Sequence, residues 1–441
     1  VRDYLTILGA GLAGSEAAWQ AAERGIPVVL YEMRPVKPTP AHKTDRCAEL
    51  VCSNSLGNNL SPSAPYLLKE ELRKFNSLVV EAGDTHSVPA GAALAVDREL
   101  FSKKITEQLL KHPNITLIRE EVTEIPSEGP VIVATGPLTS PRLSESISRL
   151  IGQEYLYFYD AISPIVDANT IDYDKTFFAS RYDKGTDDYL NCPLNEGQYY
   201  SLVNELKNGE KVPFKSFEKP IYFEGCMPVE ELAMRGDKTL AFGPLKPVGL
   251  LHPETKEQFY AVVQLRHENN EGTAFNLVGF QTKLTYPEQK RVIRLIPGLE
   301  HAEFFRFGAI HRNTYINAPD VLSCELDLKK NSGIYFAGQI IGVEGYVESV
   351  AMGLLAAISA VKRIKGEVYS TPPVDTALGS LLKYITGTRR PSFQPMNINY
   401  GLFQVQEMKI RNKRERNKKI ELKALDSLSQ WMETINGELV K

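Results

Sequence analysis

Cysteine is scarce. There are five in 441 residues, an odd number and too few for a disulfide framework. No CxxC pair and no Cys/His ligand array occurs, so no metal site is expected. Long apolar runs are missing as well. The longest, residues 350–361, has twelve residues and is broken by Ser359. A bilayer span needs roughly 20, so no membrane segment is expected. Neither sign of charge dominates: 51 Lys and Arg face 54 Asp and Glu, a net charge of −3. That excludes recognition of a polyanion by bulk charge and leaves only a local basic patch. The start, Val1-Arg2-Asp3-Tyr4, enters a folded pattern without a charged leader, and no internal repeat or low-complexity tract follows. The expectation is a cytoplasmic chain with reduced thiols. At 43% hydrophobic and 24% charged residues, a disordered chain, a coiled coil and a fibre are excluded.

What is present is most legible at the N-terminus. Residues 4–8 are β-rich, Gly9, Gly11 and Gly14 form a GxGxxG turn, and an Ala- and Glu-rich helix runs to Gly25. A second β run ends on Glu32, 18 residues after Gly14. Gly9 allows the tight turn, Gly11 lets backbone approach a pyrophosphate, and Gly14 lets helix pack on strand. The helix N-terminus attracts phosphate, and the acid suits a ribose hydroxyl. Strand, turn, helix, strand and acid in order predict a dinucleotide-binding unit.

Residues 130–137 read as a buried strand ending at Gly136. Residues 334–339 read as another, leading through Gly338 and Gly345-Tyr346 into an apolar helix. A second helix N-terminus at the cofactor favours FAD over NAD as the resident dinucleotide, because it stabilises negative charge on a reduced flavin. Residues 64–75 and a segment capped by Asp97 read as helices, and residues 115–118 and 121–125 as strands. Residues 155–300 are dense in aromatics and strand-like runs, the texture of an inserted β-rich substrate domain. The division expected is 1–155 for the first part of the FAD-binding domain, 156–305 for the insertion, 306–400 for the return, and 401–441 for a basic helical tail.

Cys52, Cys192 and Cys226 all lie beside small or turn residues, and spacing does not rank them; Cys47 and Cys324 look incidental. In the tail, seven of the eleven residues 409–419 are basic and one is acidic. That run, with Arg411, Lys413, Arg414, Arg416, Lys418 and Lys419, is either a solvated helix face or a phosphate-contacting patch. His311-Arg312-Asn313 offers a titratable ring, a cation and an amide together.

A resemblance emerges from motifs that span nearly the whole chain in order. They include GAGLAGSEAAW at 9–19, YEMRP at 31–35, AELVCSNSL at 48–56, VPAGAALAVDR at 88–98, FEGCMPVEELA at 223–233, HRNTYINAP at 311–319 and FAGQIIGVEGYVES at 336–349. The chain resembles the bacterial folate- and FAD-dependent tRNA (uracil-5-)-methyltransferases. The resemblance implies a glutathione-reductase-like FAD-binding Rossmann α/β fold with an inserted β-rich α/β domain. It implies 5,10-methylenetetrahydrofolate as carbon donor, NADPH or NADH as reductant through FAD, and uridine 54 of the tRNA T-loop as target. It makes Cys226 the nucleophile toward uracil C6 and Cys52 the second catalytic cysteine. It places His311, Arg312 and Asn313 on the folate side and Tyr346 in the turn against the flavin. Two other readings stay open on the residues alone: the same chemistry on ribosomal RNA, and a small-molecule flavin oxidoreductase. A non-catalytic RNA-binding flavoprotein is a third.

Overall fold

The computed structural model describes residues 3–436, apart from Pro40, Glu128, 153–155, 184–186, 214–221, 223–226, 388–392 and 404–409. Two sheets organise it. The chain enters through β1 (Leu5–Leu8), the helix Leu12–Glu23 and β2 (Val28–Glu32). A small antiparallel sheet follows, of β3 (Ser55–Asn58), β4 (Ser87–Val88) and β5 (Ala93–Val96). Then come β6 (Ile115–Arg119), β7 (Val131–Val133) and β8 (Leu156–Ala161). The second large sheet uses β9 (Ile165–Asp167), β10 (Phe177–Phe178), β11 (Tyr189–Leu194), β12 (Ala261–His267), β13 (Ala274–Leu277) and β14 (Phe304–Arg306). The chain returns through β15 (Ile310–Tyr315), β16 (Asp327–Leu328) and β17 (Asn331–Phe336).

The first sheet has the order β16-β17-β7-β1-β2-β6, parallel except for the β16–β17 pair. Its central strands are apolar throughout, as a sheet covered on both faces requires: Leu5, Ile7, Val131, Ile132 and Val133 are all fully buried. The second sheet has the order β10-β11-β12-β13-β9-β14 and is antiparallel. It has its own core, with Tyr199, Leu265 and Phe275 at its centre. The two crossings between the sheets pair with each other as the β8–β15 ribbon. The mixed α/β class with a parallel nucleotide-type sheet matches the sequence expectation.

Residues 121–125 do not form the strand expected of them. β6 is the edge of its sheet. The segment beyond it instead packs Val122 and Ile125 on the core and ties Glu121 to Lys37 at 2.6 Å. The helix Lys413–Asn436 is docked rather than free. Ile420, Ala424, Leu428, Trp431 and Ile435 are buried in the first core. Trp431 meets Phe75 edge-on at 5.7 Å and donates its indole N–H to the Ser370 carbonyl at 3.0 Å.

Three helix starts are served by acids from elsewhere or by local caps. Asp97 accepts from the Glu99 and Leu100 amides, both at 3.0 Å, as the sequence predicts. Glu16 accepts from Ser77 Oγ and the Val79 amide, at the start of the helix Leu78–Thr85. Glu71 accepts from the Ala377 and Leu378 amides at 2.6 and 2.8 Å, at the start of the helix Ala377–Thr386. Burial without a cation partner pushes Glu71 up to about 8 against an ordinary 4.5, and burial pushes Glu16 up to about 7. A raised pKa in the folded state stabilises fully below the unfolded value and fades as pH rises through the folded one. The thermal midpoint should therefore fall between about pH 5 and pH 8.5. In Glu71→Gln, which cannot ionise, part of that fall should disappear in melting curves across the range. An unchanged slope would show that Glu71 is ionised in the folded protein throughout.

Candidate functional site

The C-terminal ends of β1, β2, β7 and β17 converge on one cleft, where open parallel sheets bind ligands. It holds about 1070 Å³ of empty space, including its solvent-open mouth. Gly9, after β1, has φ +96°, and a Cβ there would lie 2.7 Å from the Ala134 carbonyl oxygen. A Cβ on Gly14 would lie 1.8 Å from the Gly9 oxygen, so strand and helix touch through these two residues. Gly11 differs: nothing lies within 4 Å of its would-be Cβ, and it lines the cleft. It is the N-cap of helix 12–23 with no side-chain cap, so that helix start faces open space. A pyrophosphate fits that cradle, and a side chain would fill it.

The other predicted glycines gather at the same place. Gly136 follows β7 with φ +65° and lines the cleft. Gly338 follows β17 with φ +82°, and a Cβ there would stand 2.8 Å from the Ala13 Cβ. Gly345, at φ +118°, is the uncapped N-cap of the helix Tyr346–Ile364. Tyr346 and Ser349, in that helix's first turn, line the cleft.

Glu32 ends β2, is buried and faces the cleft. One oxygen accepts the Ala10 amide at 3.1 Å; the other accepts the Arg34 amide at 3.0 Å and Nε at 2.9 Å. Burial opposes its ionisation, but the Arg34 bonds and charge outweigh burial and hold the carboxyl below its ordinary value. Arg34 takes both lone pairs of Oε1, and Oε2 keeps one for a ribose hydroxyl. Arg34, itself 3% exposed, also donates to the Thr44 carbonyl and to Glu49, each at 3.1 Å. Glu49 in turn accepts the Lys43 and Thr44 amides. This Glu32–Arg34–Glu49 chain ties residues 41–49 to the end of β2, where His42 and Glu49 line the cleft. Sequence reading did not single out Arg34 or Glu49; a cation two residues beyond the strand-end acid was the available signal. His42 lies in the same loop, and burial and then Arg34 hold it down to about 4, so its ring is neutral at physiological pH.

Cys52 follows Val51, which lines the cleft. Its amide donates to the Tyr346 hydroxyl at 2.8 Å, and its thiol faces the Ala161 carbonyl at 3.9 Å. Arg98 fixes the loop, donating to the Leu50 and Cys52 carbonyls at 2.5 and 2.9 Å. The same guanidinium bridges Glu268 of the second sheet's domain at 2.6 Å. Asn54 adds a second link, donating to the His267 carbonyl at 2.9 Å and accepting from Arg266 at 3.0 Å. Glu32, Tyr346, Gly9, Gly11, Gly136 and Gly338 thus line one cleft, with Cys52 adjoining it through Val51 and Tyr346, and Gly14 and Gly345 in the helix starts that face it.

Cys226 lies outside the described residues. Its flanks are tied down: Tyr222 bridges Tyr159 of β8, and the Val229 amide donates to the Gln281 carbonyl at 2.7 Å. The sequence-adjacent cations Arg235 and Lys246 are exposed. His311 and Arg312 lie in β15, opposite Asp160 and Tyr159, with their side chains outside the described residues; Asn313 is buried. Cys192 and Cys47 are buried, and burial pushes Cys47 up to about 11 and Cys192 higher still. Both behave as small apolar residues. Arg411, Lys413, Arg414 and Lys419 are exposed, and Arg416 is half-buried. Lys418 bonds Glu421 at 2.6 Å and Ser61 at 3.0 Å. Among the described residues no hydrogen bond or ion pair links this run to the cleft. Among the described residues no group of three or more His, Cys, Asp or Glu could hold a metal, and no helix is long and apolar enough to cross a membrane.

A parallel sheet that turns its glycine loops, an acid and two uncapped helix starts onto one cleft belongs to the FAD-binding Rossmann class of proteins. Solved structures agree on the fold. The chain superposes on Aquifex aeolicus GidA in its form I crystal with TM-score 0.70 and 17% identity, covering 98% of this chain and 76% of that one. A family model described as glucose inhibited division protein A matches residues 4–368. Much nearer in sequence are curated proteins named methylenetetrahydrofolate--tRNA-(uracil-5-)-methyltransferase TrmFO. That of Natranaerobius thermophilus is 57% identical over 97% of this chain and 99% of its own length. That of Bacillus subtilis is 54% identical over 98% and 99%. The chain is a member of this TrmFO family.

The open space at Gly11 gives a test. Gly11→Ala should fold, since no protein atom lies within 4 Å of the new Cβ, yet lose bound dinucleotide at least about tenfold because it fills the pyrophosphate cradle. Flavin absorbance of the purified variant, with its melting midpoint as control, measures this. Full retention of flavin would place the pyrophosphate elsewhere.

Proposed function

We propose that the protein methylates C5 of uridine 54 in the tRNA T-loop, with 5,10-methylenetetrahydrofolate as donor and NADPH or NADH as reductant through FAD. The observation that carries the reading is the FAD-type cleft with Cys52 beside it, bonded to the lining residue Tyr346, in a chain 52–57% identical to several curated proteins named for this transfer. Gly9, Gly11, Gly14, Gly136, Gly338, Glu32, Gly345 and Tyr346 would hold FAD. Bound there, FAD would supply the two electrons that convert a transferred methylene unit into a methyl group. The cytoplasm is the compartment this reading implies.

Uracil C5 is too weak a nucleophile to attack a one-carbon unit unaided. We assign Cys226 to add as thiolate at C6, which moves electron density to C5. C5 then attacks the methylene carbon; loss of the C5 proton and cleavage of the methylene–nitrogen bond release tetrahydrofolate and leave an exocyclic methylene on the base. A hydride, which FAD reduced by NADPH or NADH would supply, converts it to methyl as the C6–S bond breaks and the thiolate leaves. Cys52 is the second cysteine, assigned to the C5 proton. Its loop is fixed by Arg98 and Tyr346, which suits a group that must meet one position on a bound base. His311, Arg312 and Asn313 are assigned to the folate side. The target uridine must leave its stack to be reached.

The basic run supports an RNA partner on physical grounds. Lys413, Arg414 and Arg416 sit in the first turn of the helix Lys413–Asn436, where the helix dipole disfavours cations. A solvated face gains nothing from that placement, and a phosphate contact does.

Methyl transfer from labelled methylenetetrahydrofolate to an unmodified tRNA transcript, with FAD and NADPH, tests the assignment. Label should enter the intact transcript and neither one with the T-loop uridine replaced nor a ribosomal RNA fragment. Entry into the ribosomal fragment alone would change the substrate, and no entry into any RNA would overturn the reading. Cys226→Ala should abolish transfer while retaining flavin. Replacing Arg411 and Arg414 with Glu should weaken tRNA binding and lower its salt dependence by about one unit of slope per lost contact; an unchanged slope would return the run to a solvated face.

A further inference from the structure

The second domain carries a feature that the chemistry above leaves unused. Three aromatic rings form a continuous stack there. Tyr286 lies on Phe307 with centroids 4.7 Å apart and planes at 16°. Phe307 lies on Phe304 at 4.9 Å and 17°. The inner end is anchored, since Phe304 belongs to β14 and packs against the second core. The outer end is open: Tyr286 is 56% exposed, and neighbouring Phe305 is 61% exposed. An ordered stack whose last plate faces solvent is a surface prepared for another flat ring.

Two cations flank it without an ion-pair partner among the described residues. Lys290 Nζ stands 5.8 Å from the Phe307 centroid and forms no ion pair among the described residues. Its neighbour Arg291, by contrast, is bound by Glu288 and Glu205. Arg306, between Phe304 and Phe307 in sequence, also forms no hydrogen bond or ion pair among the described residues. Its charge acts on Arg98, Tyr346, Cys52 and Glu268, and Glu268 is already bridged to Arg98. Arg306 also acts on His42 in the cleft wall. Arg306 therefore lies within electrostatic reach of both the platform's strand and the Cys52 loop.

We propose that Tyr286 is the outer plate of a stacking platform that receives an unstacked nucleobase of the RNA substrate, with Lys290 and Arg306 meeting the adjoining phosphates. The proposal rests on the RNA substrate argued above and adds where that RNA is gripped. A base has a π-face whatever its identity, so the platform holds a splayed loop without reading its sequence. Two cations free of ion pairs among the described residues favour a polyanion over an apolar protein surface as occupant.

Binding of the unmodified tRNA transcript to the full-length protein, followed by fluorescence anisotropy, tests this with three variants. Tyr286→Ala and Tyr286→Leu should weaken binding by about 5- to 150-fold, the loss of one base–aromatic stack. Tyr286→Phe should bind as the wild type does, because the ring and not the hydroxyl is used. Tyr286→Leu keeps an apolar side chain in place, and melting midpoints accompany all three. Equal affinity of the wild type, Ala and Leu proteins would overturn the platform and leave the RNA substrate standing. Equal weakening in Phe would overturn it too, since a lost hydroxyl would then be the cause. Failure of the wild type to bind the transcript would remove the RNA reading and the platform together.

Discussion

One guanidinium joins the parts of this protein that must act together. Arg98 starts the helix that Asp97 caps, and it reaches to the backbone of Leu50 and Cys52 on one side and to the Glu268 carboxylate on the other. The nucleotide-type sheet carries the cleft; the second domain carries Glu268. Without Arg98, the Cys52 loop would lose its two carbonyl anchors, and Glu268 would be left as a buried charge without its bridge. Breaking a buried pair of this kind costs about 3–5 kcal/mol, more than a surface pair contributes. The position of Cys52 is therefore tied to the seating of the second domain, through a bond planar enough to fix direction as well as distance.

Around that joint, buried carboxylates do the work that local caps do elsewhere. Glu16 and Glu71 serve helix starts far from them in sequence. Glu32 and Glu49 share Arg34 and shape the cleft wall. An acid used this way links elements that no turn connects, and it is sensitive to protonation in a way that a serine cap is not.

The readable parts of the sequence were the local ones. The glycine turn, the first helix and the acid at the end of β2 lie within thirty-two residues, and their spacing alone fixes their geometry. The second glycine strand was readable because Gly338 and Gly345 punctuate an apolar run. The Arg34–Glu49 contact, the Arg98–Glu268 bridge and the Tyr286–Phe307 stack were not readable, because each pairs residues through tertiary structure and neither partner carries a signature by itself. Residues 121–125 have strand composition but no neighbour strand to pair with, so their side chains found the core and their backbone stayed irregular. The family resemblance came from motifs such as AELVCSNSL, whose meaning is not physical on its face; the structure supplies it in the bonds that hold Cys52.

The first helix and the helix Tyr346–Ile364 lie in direct contact along their length. A Cβ on Gly353 would fall 2.2 Å from the Ala13 oxygen, and one on Gly338 would meet Ala13 as well. Backbone against backbone leaves no side chain to flex between them, so neither helix can slide without the other. Both uncapped starts that face the cleft are thereby mounted on one stiff beam. The space between those two starts therefore has a width set by backbone contact. The side toward the second domain is held differently, by the β8–β15 ribbon and the single Arg98–Glu268 bridge.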